Sequence, residues 1–525
     1  MAVQPAAADP AGEELATSDA VLDASTLSDT EYLAKLGYKQ ELKRDLGLFS
    51  AFGVQFSSIA VTSSMYTTLV VGLLFFGPAS FWSWVIGGTL QVFAVGLAVA
   101  ELVSAYPLAG GVYQINNRIL SQARSRIVRR FGHPVSWQSG WWIVIAHTVS
   151  MAAVAWSMVP FVANWFGINN LSSAESLWWA LGITILASVI NLVGVRAAAT
   201  MNNIGVIAEI VGAVLIIVAL LAVHHHTQPV SILSNTAGTV VNHQWLKPLL
   251  FAFLLPAYII SSFDSTGNAA EETHDAARKA PLGVFLANAA AWVTGIVFIY
   301  LLYTSIPSVH AVMNSAVPVK VILDSAVGQD LTTVFQAIAI VALLATCTML
   351  QLTGARVLWS QARDGHMPFA GFLGRVSRQR VPFNATVVAF GMSVIFLVAA
   401  SFSATALAVL AALASLSWAL AYGLVVTTGL YGLLAGKLPH RPFNCGRFSV
   451  VVFVAAVLWS VVICTALIWQ NPKQVGGGML GAIVVGAIVY AFIPKSRRQR
   501  TAALSAEHAA TPSEPRPDPE TSRSA

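Results

Sequence analysis

Long apolar runs separated by short polar segments dominate the pattern along this chain. A helix needs about 20 apolar residues to cross the hydrocarbon core of a bilayer, and twelve runs approach that length. They cover residues 48–76, 80–104, 138–164, 176–194, 202–223, 246–268, 282–306, 331–355, 384–403, 405–432, 448–469 and 477–493. A membrane β-strand needs only about 10 alternating residues, so the runs predict an all-α polytopic membrane protein.

The two ends of the chain lack such runs. Residues 1–46 and 495–525 are polar and of low complexity, a composition typical of disordered segments. We expect two disordered cytoplasmic tails around one membrane domain at residues 47–494. Residues 1–11 lack the basic region and apolar core of a signal peptide.

Composition excludes the soluble classes of protein. Hydrophobic residues make up 56% of the chain and charged residues 10%, and the mean hydropathy is +0.70. Soluble domains carry roughly 25% charged residues. The cysteines, Cys347, Cys445 and Cys464, are too few and too scattered for a disulfide framework or a metal cluster.

Basic residues predict the orientation in the membrane. If both termini are cytoplasmic, all but three of the 29 Lys and Arg residues fall on the inner side, the exceptions being Lys247, Lys320 and Lys473. Inner loops of membrane proteins carry such an excess, and a wrong number of spans would scramble it. The net charge of +6 therefore indicates a membrane and no nucleic-acid partner.

Three acidic residues lie within or at the edge of predicted spans, where an ionisable group is costly and marks function by default. Glu101 lies near the inner end of the second span, where an interfacial carboxylate explains it equally well. Glu209 lies about two turns into the fifth span among apolar neighbours and is a candidate proton carrier. Asp264 lies in a polar run of the sixth span.

Two polar runs interrupt apolar spans. Residues 57–64 of the first span read SSIAVTSS, and residues 261–267 of the sixth span read SSFDSTG. Such residues can pack against neighbouring helices, but in mid-span they also suit a helix break that lines a cavity. The two runs begin the first and second blocks of five spans, and matched interruptions of this kind point to a transport site.

Three segments after the second, sixth and eighth spans carry a family resemblance. Residues 101–113 read ELVSAYPLAGGVY, residues 268–281 read NAAEETHDAARKAP, and residues 362–368 read ARDGHMP. In this order they resemble the signatures of amino acid permeases of the amino acid–polyamine–organocation superfamily. The resemblance covers about residues 40–495.

The resemblance implies a five-plus-five inverted-repeat fold with broken first and sixth helices. The repeats would occupy residues 48–223 and 246–432, with two further helices at residues 448–493. It also implies a substrate site midway across the membrane, between the two breaks. The implied site residues are Ala60, Thr62, Ser63, Ser64, Met65, Tyr258, Ile259, Ile260, Ser261 and Asp264.

The resemblance assigns roles to these residues. In the family, a Gly-Ser-Gly-like stretch offers backbone N–H groups to the substrate carboxylate. The matching stretch here is residues 62–65, in which both glycines are replaced. The carbonyls of residues 259–261 would face the substrate ammonium. Tyr258 takes the place of an aromatic gate, and Asp264 that of an acidic gating residue.

Residues 202–209, NNIGVIAE, resemble the fifth span of cationic-amino-acid-type members, which carry Lys at the last position. That Lys replaces a coupling sodium ion, and Glu209 reverses its charge. We expect Glu209 to bind a proton; the alternative is a cation held with Thr346 and Thr348 of the eighth span. Glu209 and Asp264 together favour the amino acid/choline branch.

The sequence thus predicts a secondary active, proton-coupled permease that moves a small amino acid across the cytoplasmic membrane by alternating access. The alternatives are a transporter of choline, polyamines or other amines and a non-transporting nutrient sensor. No nucleophile–base or nucleotide motif indicates an enzyme or an ATP-driven pump, and we expect no cofactor or metal. His147 in the third span either lines the pore or is a hydrogen-bonded packing residue.

Overall fold

The computed structural model describes residues 28–31, 44, 47–108, 110–123, 125–168, 171–223, 228–268, 270, 273–315, 317–377 and 381–494. Every regular element in these ranges is a helix. Most of the two predicted tails lies outside them, so their disorder stays a prediction. In the described part of the first tail, the Asp29 carboxylate accepts hydrogen bonds from the backbone N–H groups of Asp275 (2.7 Å) and Ala276 (3.1 Å).

Helices long and apolar enough to cross a membrane make up most of the described residues. Ten such stretches occur there: Leu48–Ala105, Ile127–Trp165, Ser173–Val193, Arg196–Ala222, Ala276–Thr304, Gln329–Arg363, Phe383–Ser401, Ala406–Leu434, Gly446–Gln470 and Pro472–Ala491. The first is 58 residues long and contains two spans, because the chain turns at Gly77–Ala79. The shorter apolar helix Leu246–Ile259 stands at the sixth position. The protein is therefore an all-α multi-pass membrane protein, and its described helices correspond in order to the twelve apolar runs of the sequence.

The first two spans are both interrupted. They consist of α1 (Leu48–Ile59), α2 (Val61–Phe76), α3 (Ser80–Leu90), a π-helix (Gln91–Gly96) and α4 (Leu97–Ala105). Between α1 and α2, Ala60 adopts a left-handed conformation (φ 43°, ψ 60°). This conformation costs an L-residue roughly 1–2 kcal/mol. The first-span break is thus a single residue, at the polar run that predicted it.

The next helices are longer than their apolar runs. They are α5 (Gly111–Ser121), α6 (Arg126–Trp165), α7 (Ser173–Val193) and α8 (Val195–Val223). The sequence predicts a loop at α5 and a third span beginning at residue 138. Instead, α6 begins at Arg126, because the Ser125 side chain caps it by accepting the backbone N–H of Val128 (3.5 Å). Arg129 and Arg130, which we expected in a loop, lie on α6.

The second block repeats the break. Its helices are α9 (Leu246–Ala252), α10 (Leu254–Ile259), α11 (Ser265–Asn268), α12 (Ala276–Thr304), α13 (Val309–Met313), α14 (Pro318–Ala326), α15 (Gln329–Arg363), α16 (Ala370–Leu373), α17 (Phe383–Ser401) and α18 (Ala406–Leu434). The chain is not helical between α10 and α11, and Ser262 there has a φ of 58°. The sixth-span break therefore also lies in its predicted polar run.

Two further spans follow, α19 (Ser449–Gln470) and α20 (Gly477–Ala491), joined by a π-helix at Pro472–Gly476. The third span is the most enclosed, with 94% of its apolar stretch buried inside the protein. The last span is the least enclosed, with 17% buried. The two breaks and α6 thus lie inside the bundle, while α20 lies at its periphery.

Candidate functional site

Glu209 reaches from α8 to the break in the first span. Its side chain is 1% exposed. Oε1 accepts hydrogen bonds from the backbone N–H of Thr62 (2.5 Å) and from the Thr62 hydroxyl (2.6 Å). Oε2 accepts one from the Ser63 hydroxyl (2.6 Å). Within the described ranges no basic side chain forms an ion pair with Glu209, so these donors are what stabilises the carboxylate.

The position of Glu209 follows from the break at Ala60. The first N–H groups of a helix lack partners inside that helix, and the helix dipole favours negative charge there. Because α2 starts directly after Ala60, its N-terminus lies in mid-span and needs an acceptor that is not water. Glu209 supplies that acceptor. The site implied for a substrate carboxylate is thus engaged by a carboxylate of the chain itself.

Ser64 and Met65 do not contact Glu209. The Ser64 hydroxyl donates to the carbonyl of Ile59 (3.0 Å), across the break. Met65 is fully buried, and a Cβ added at Gly295 of α12 would lie 2.6 Å from its terminal methyl group. Of residues 62–65, the structure therefore brings only Thr62 and Ser63 to the carboxylate.

Gln91 engages one of the carbonyls that we expected to face a substrate. From the π-helix of the second span, its Nε2 donates to the carbonyl of Ile260 (2.9 Å). Its Oε1 accepts a hydrogen bond from the indole N–H of Trp459 in α19 (2.5 Å). One buried amide thus ties the sixth-span break to both the second and the eleventh spans.

Gln55 of α1 bridges the same break. Its Nε2 donates to the carbonyl of Ser261 (3.4 Å), and its Oε1 accepts the backbone N–H of Thr266 (3.4 Å). The carbonyl of Ile259 accepts the N–H of Ser261 (3.0 Å). The side-chain amide of Gln55 therefore replaces a peptide group that the interrupted helix lacks, and it links the two breaks.

Tyr258 lies just before the sixth-span break, and Asp264 is the last residue of the break. The carboxylate of Asp264 is buried and accepts the hydroxyl of Tyr422 in α18 (2.7 Å) and the side-chain N–H of Asn268 (2.9 Å). The hydroxyl of Tyr258 is buried and has no hydrogen-bond partner within the described chain. Tyr258 therefore keeps a polar atom available at the break.

The two threonines of the eighth span have different surroundings. The Thr346 hydroxyl donates to the carbonyls of Ala342 (3.0 Å) and Ser57 (3.4 Å), so it lies beside the first-span break. The Thr348 hydroxyl donates to Leu344 of its own helix (2.8 Å). The structure thus brings Thr346, but not Thr348, near the break. The described residues contain no group of three His, Cys, Asp or Glu side chains that could hold a metal ion.

Glu101 is part of a buried ion pair. It is 0% exposed and pairs with Arg441, whose Nε donates to Oε1 (2.6 Å). Its Oε2 accepts the backbone N–H of Cys445 (3.2 Å) and the hydroxyl of Ser449 (2.9 Å). This cluster ties α4 to the loop after α18 and to the start of α19.

The segment after the eighth span packs its histidine inward. Tyr113 of α5 hydrogen-bonds to His366 Nδ1, and the indole N–H of Trp137 donates to the His366 carbonyl (2.7 Å). Burial, together with the charge of nearby His133, lowers the pKa of His366 to about 3. The ring is therefore neutral at physiological pH, and this motif joins α5, α6 and α15 as a packing contact.

Sequence reasoning missed Gln55, Gln91 and Tyr422. A signal existed for the two glutamines, because each interrupts an apolar run with an amide that must find a partner inside a membrane. Nothing in the sequence indicated which carbonyls they bind. Tyr422 lies inside the tenth apolar run, where nothing in the sequence set its hydroxyl apart.

Comparison with known proteins identifies the family of the chain. Residues 46–490 match the family described as "Amino acid permease". The amino-acid permease BAT1 of Arabidopsis thaliana is 26% identical, over 82% of this chain and 86% of its own length. The thiamine transporter thi9 of Schizosaccharomyces pombe is 23% identical, over 90% of this chain and 86% of its own length. The chain therefore belongs to the amino acid permeases of the amino acid–polyamine–organocation superfamily.

Proposed function

We propose that this permease is a secondary active, proton-coupled transporter that carries a small amino acid through the cell membrane by alternating access. Glu209 is its proton carrier. The observation that carries the proposal is the set of three hydrogen bonds from Thr62 and Ser63 to the buried Glu209 carboxylate. The excess of basic residues in alternate loops supports an orientation with both termini in the cytoplasm.

Coupling follows from the acceptor capacity of Glu209. An ionised carboxylate accepts hydrogen bonds at both oxygens, whereas a protonated one turns one oxygen into a donor. Protonation therefore weakens the hold of Glu209 on Thr62 and Ser63 and releases the N-terminus of α2. The first-span break has one conformation in which Glu209 holds Thr62 and Ser63 and one in which it releases them. A proton that binds one of these conformations more tightly shifts the population toward that conformation. The released N–H of Thr62 is then open to a substrate carboxylate.

The test is uptake by the purified protein in liposomes under an inward proton gradient. The vesicles receive a mixture of amino acids, 4-aminobutyrate, choline, polyamines and thiamine, and the accumulated compound is identified. We expect accumulation of an amino acid that stops when the gradient is collapsed.

The Glu209→Gln variant should lose gradient-driven accumulation and keep exchange of labelled for unlabelled substrate, because the amide cannot carry the proton. Glu175→Gln is the matched control, since Glu175 is an exposed acid at the start of the neighbouring α7. If the Glu209→Gln variant still accumulates substrate under the gradient, Glu209 is not the proton carrier.

A second candidate function is transport of an organic amine without a carboxylate. It is favoured because Glu209 already engages the Thr62 N–H, so a substrate need not bring an anion of its own. One relative is named a thiamine transporter. Accumulation of choline, a polyamine or thiamine alone in the same assay would select this candidate.

A further inference from the structure

The imidazole of His147, in the enclosed helix α6, keeps one nitrogen without a partner. The side chain is 1% exposed, and Nδ1 lies 2.8 Å from the carbonyl oxygen of Ile143. Nδ1 therefore carries the proton in the neutral ring, which leaves a lone pair on Nε2. Nε2 has no hydrogen-bond partner in the described part of the chain. Buried polar atoms in native proteins are nearly always paired, so this acceptor points to a ligand.

Two neighbouring helices fix the direction of the ring. Its edge packs on Trp418 of α18, with ring centroids 4.7 Å apart and planes at 67°. The Trp418 indole is held in turn by the hydroxyl of Ser150 (3.1 Å). Gly354 of α15 lies so close that an added Cβ would be 2.8 Å from the Cβ of His147. The ring is thus clamped, and Nε2 cannot turn away to find another donor.

A second buried hydroxyl without a partner in the described chain, that of Tyr258, lies at the sixth-span break. It is close enough to Cys347 of α15 for the two groups to interact electrostatically. The Cys347 sulfur lies 3.9 Å from the carbonyl oxygen of Met151. Met151 is one helical turn beyond His147, a rise of about 6 Å. Cys347 therefore links the surroundings of Tyr258 to α6, one turn beyond His147.

Asp264 brings negative charge to this place. Its carboxylate interacts electrostatically with the His147 ring. Tyr422, which donates to Asp264, stacks on Trp418 at 5.5 Å and 9°, so the same aromatic pair positions both groups. No basic side chain in the described ranges forms an ion pair with Asp264. A buried carboxylate that has hydrogen-bond donors but no ion-pair partner favours a cation beside it.

We propose that His147 Nε2 accepts a hydrogen bond from a positively charged N–H group of the transported molecule, with Tyr258 and Asp264 completing the subsite. His147 is then a specificity-determining residue. The inference rests on the proposed transport function and narrows its substrates to molecules that carry a cationic group in addition to any α-ammonium, such as an amino acid with a basic side chain or a diamine.

The test uses L-lysine and L-norleucine, which differ only by the terminal ammonium group. Binding to the purified protein is measured by calorimetry. We expect the wild type to bind lysine at least about tenfold more tightly than norleucine, the range of a charge-assisted hydrogen bond.

The His147→Phe variant should bind lysine and norleucine equally, and its norleucine binding shows that it is folded. His147→Gln retains an acceptor and should retain the preference. His310→Phe, a change at an exposed histidine of α13, is the control.

A second pair separates this inference from the amino acid proposal. If the wild type binds neither amino acid, 1,5-diaminopentane and 1-aminopentane are compared in the same way. A preference for the diamine that His147→Phe abolishes would support the subsite and favour the amine candidate over an amino acid substrate. A wild type without preference in both pairs, or a preference that His147→Phe keeps, would overturn the inference.

Discussion

Gln91 is a single side chain on which three spans converge. It donates to Ile260 at the sixth-span break and accepts from Trp459 of α19, from a π-helix in the second span. All three residues are buried. Because its amide bonds both partners directly, the position of the sixth-span break relative to α19 depends on this residue.

We predict that Gln91→Met lowers both thermal stability and substrate affinity. Each buried group left without a partner costs about 1–3 kcal/mol, and the Ile260 carbonyl and the Trp459 N–H would both be orphaned. Trp459→Phe removes only one of the bonds and leaves Ile260 held, so it should lower stability and spare affinity. The measurements are thermal unfolding in detergent and binding of the identified substrate. Equal affinity in Gln91→Met and wild type would contradict a positioning role.

At this scale the sequence predicts hydroxyl-rich breaks but not the partners that hold them. Ala60 and Ser262 fall in the predicted runs because hydroxyl groups can replace backbone partners locally. Gln55 and Gln91 bind carbonyls 206 and 169 residues away. Such pairings depend on how the helices pack, which the local pattern does not contain.

Among the helices, α8 and α15 pack closely where the backbone of Gly205 faces the side chain of Ala345. A Cβ added at Gly205 would overlap the Cβ of Ala345. Gly205 lies one turn before Glu209, so this close approach sets how far α8 is from the first-span break. The absence of a side chain at Gly205 therefore sets how closely α8 packs on α15, and with it the position of Glu209.

Gly205→Ala should destabilise the protein and weaken gradient-driven uptake. Overpacking of this kind costs about 1–3 kcal/mol, and separating α8 from α15 would move Glu209 away from Thr62. Gly182→Ala in α7 is the matched control, because nothing lies within 4 Å of its added Cβ. The measurement is thermal unfolding of the two variants. If both unfold at the temperature of the wild type, α8 and α15 accommodate the added methyl group and the prediction is wrong.

Helix ends differ from the predicted spans for a physical reason. Apolar runs report the part of a helix that lies in lipid, whereas the ends depend on capping and on turns. Ser125 starts α6 well before its apolar run, and Pro318 opens the unpredicted α14 at a first-turn position that suits proline. The number of spans was therefore predictable, and their full lengths were not.

For the molecule as a whole, the cluster of Glu101 and Arg441 joins the first block of spans to the last two. Glu101 is 0% exposed and the Arg441 side chain 14%. Removing one partner of such a pair leaves a buried charge uncompensated, at a cost of about 3–5 kcal/mol.

A double-mutant cycle measures this link. Arg441→Met and Glu101→Gln should each lower the thermal unfolding temperature, with Arg441→Met the more severe because Glu101 is the more deeply buried. The double variant should be more stable than the sum of the single changes indicates, by about 0.5–3 kcal/mol of coupling. Strict additivity would show that the two residues act independently.

The ion pair also constrains biogenesis. Glu101 leaves the ribosome 340 residues before Arg441, so its carboxylate enters the bilayer before its partner exists. Until the loop after α18 is made, the nascent chain holds an unmatched acid near the end of its second span. A chain that stops before residue 441 never neutralises it. The second span therefore reaches its final electrostatic environment only after synthesis has passed α18.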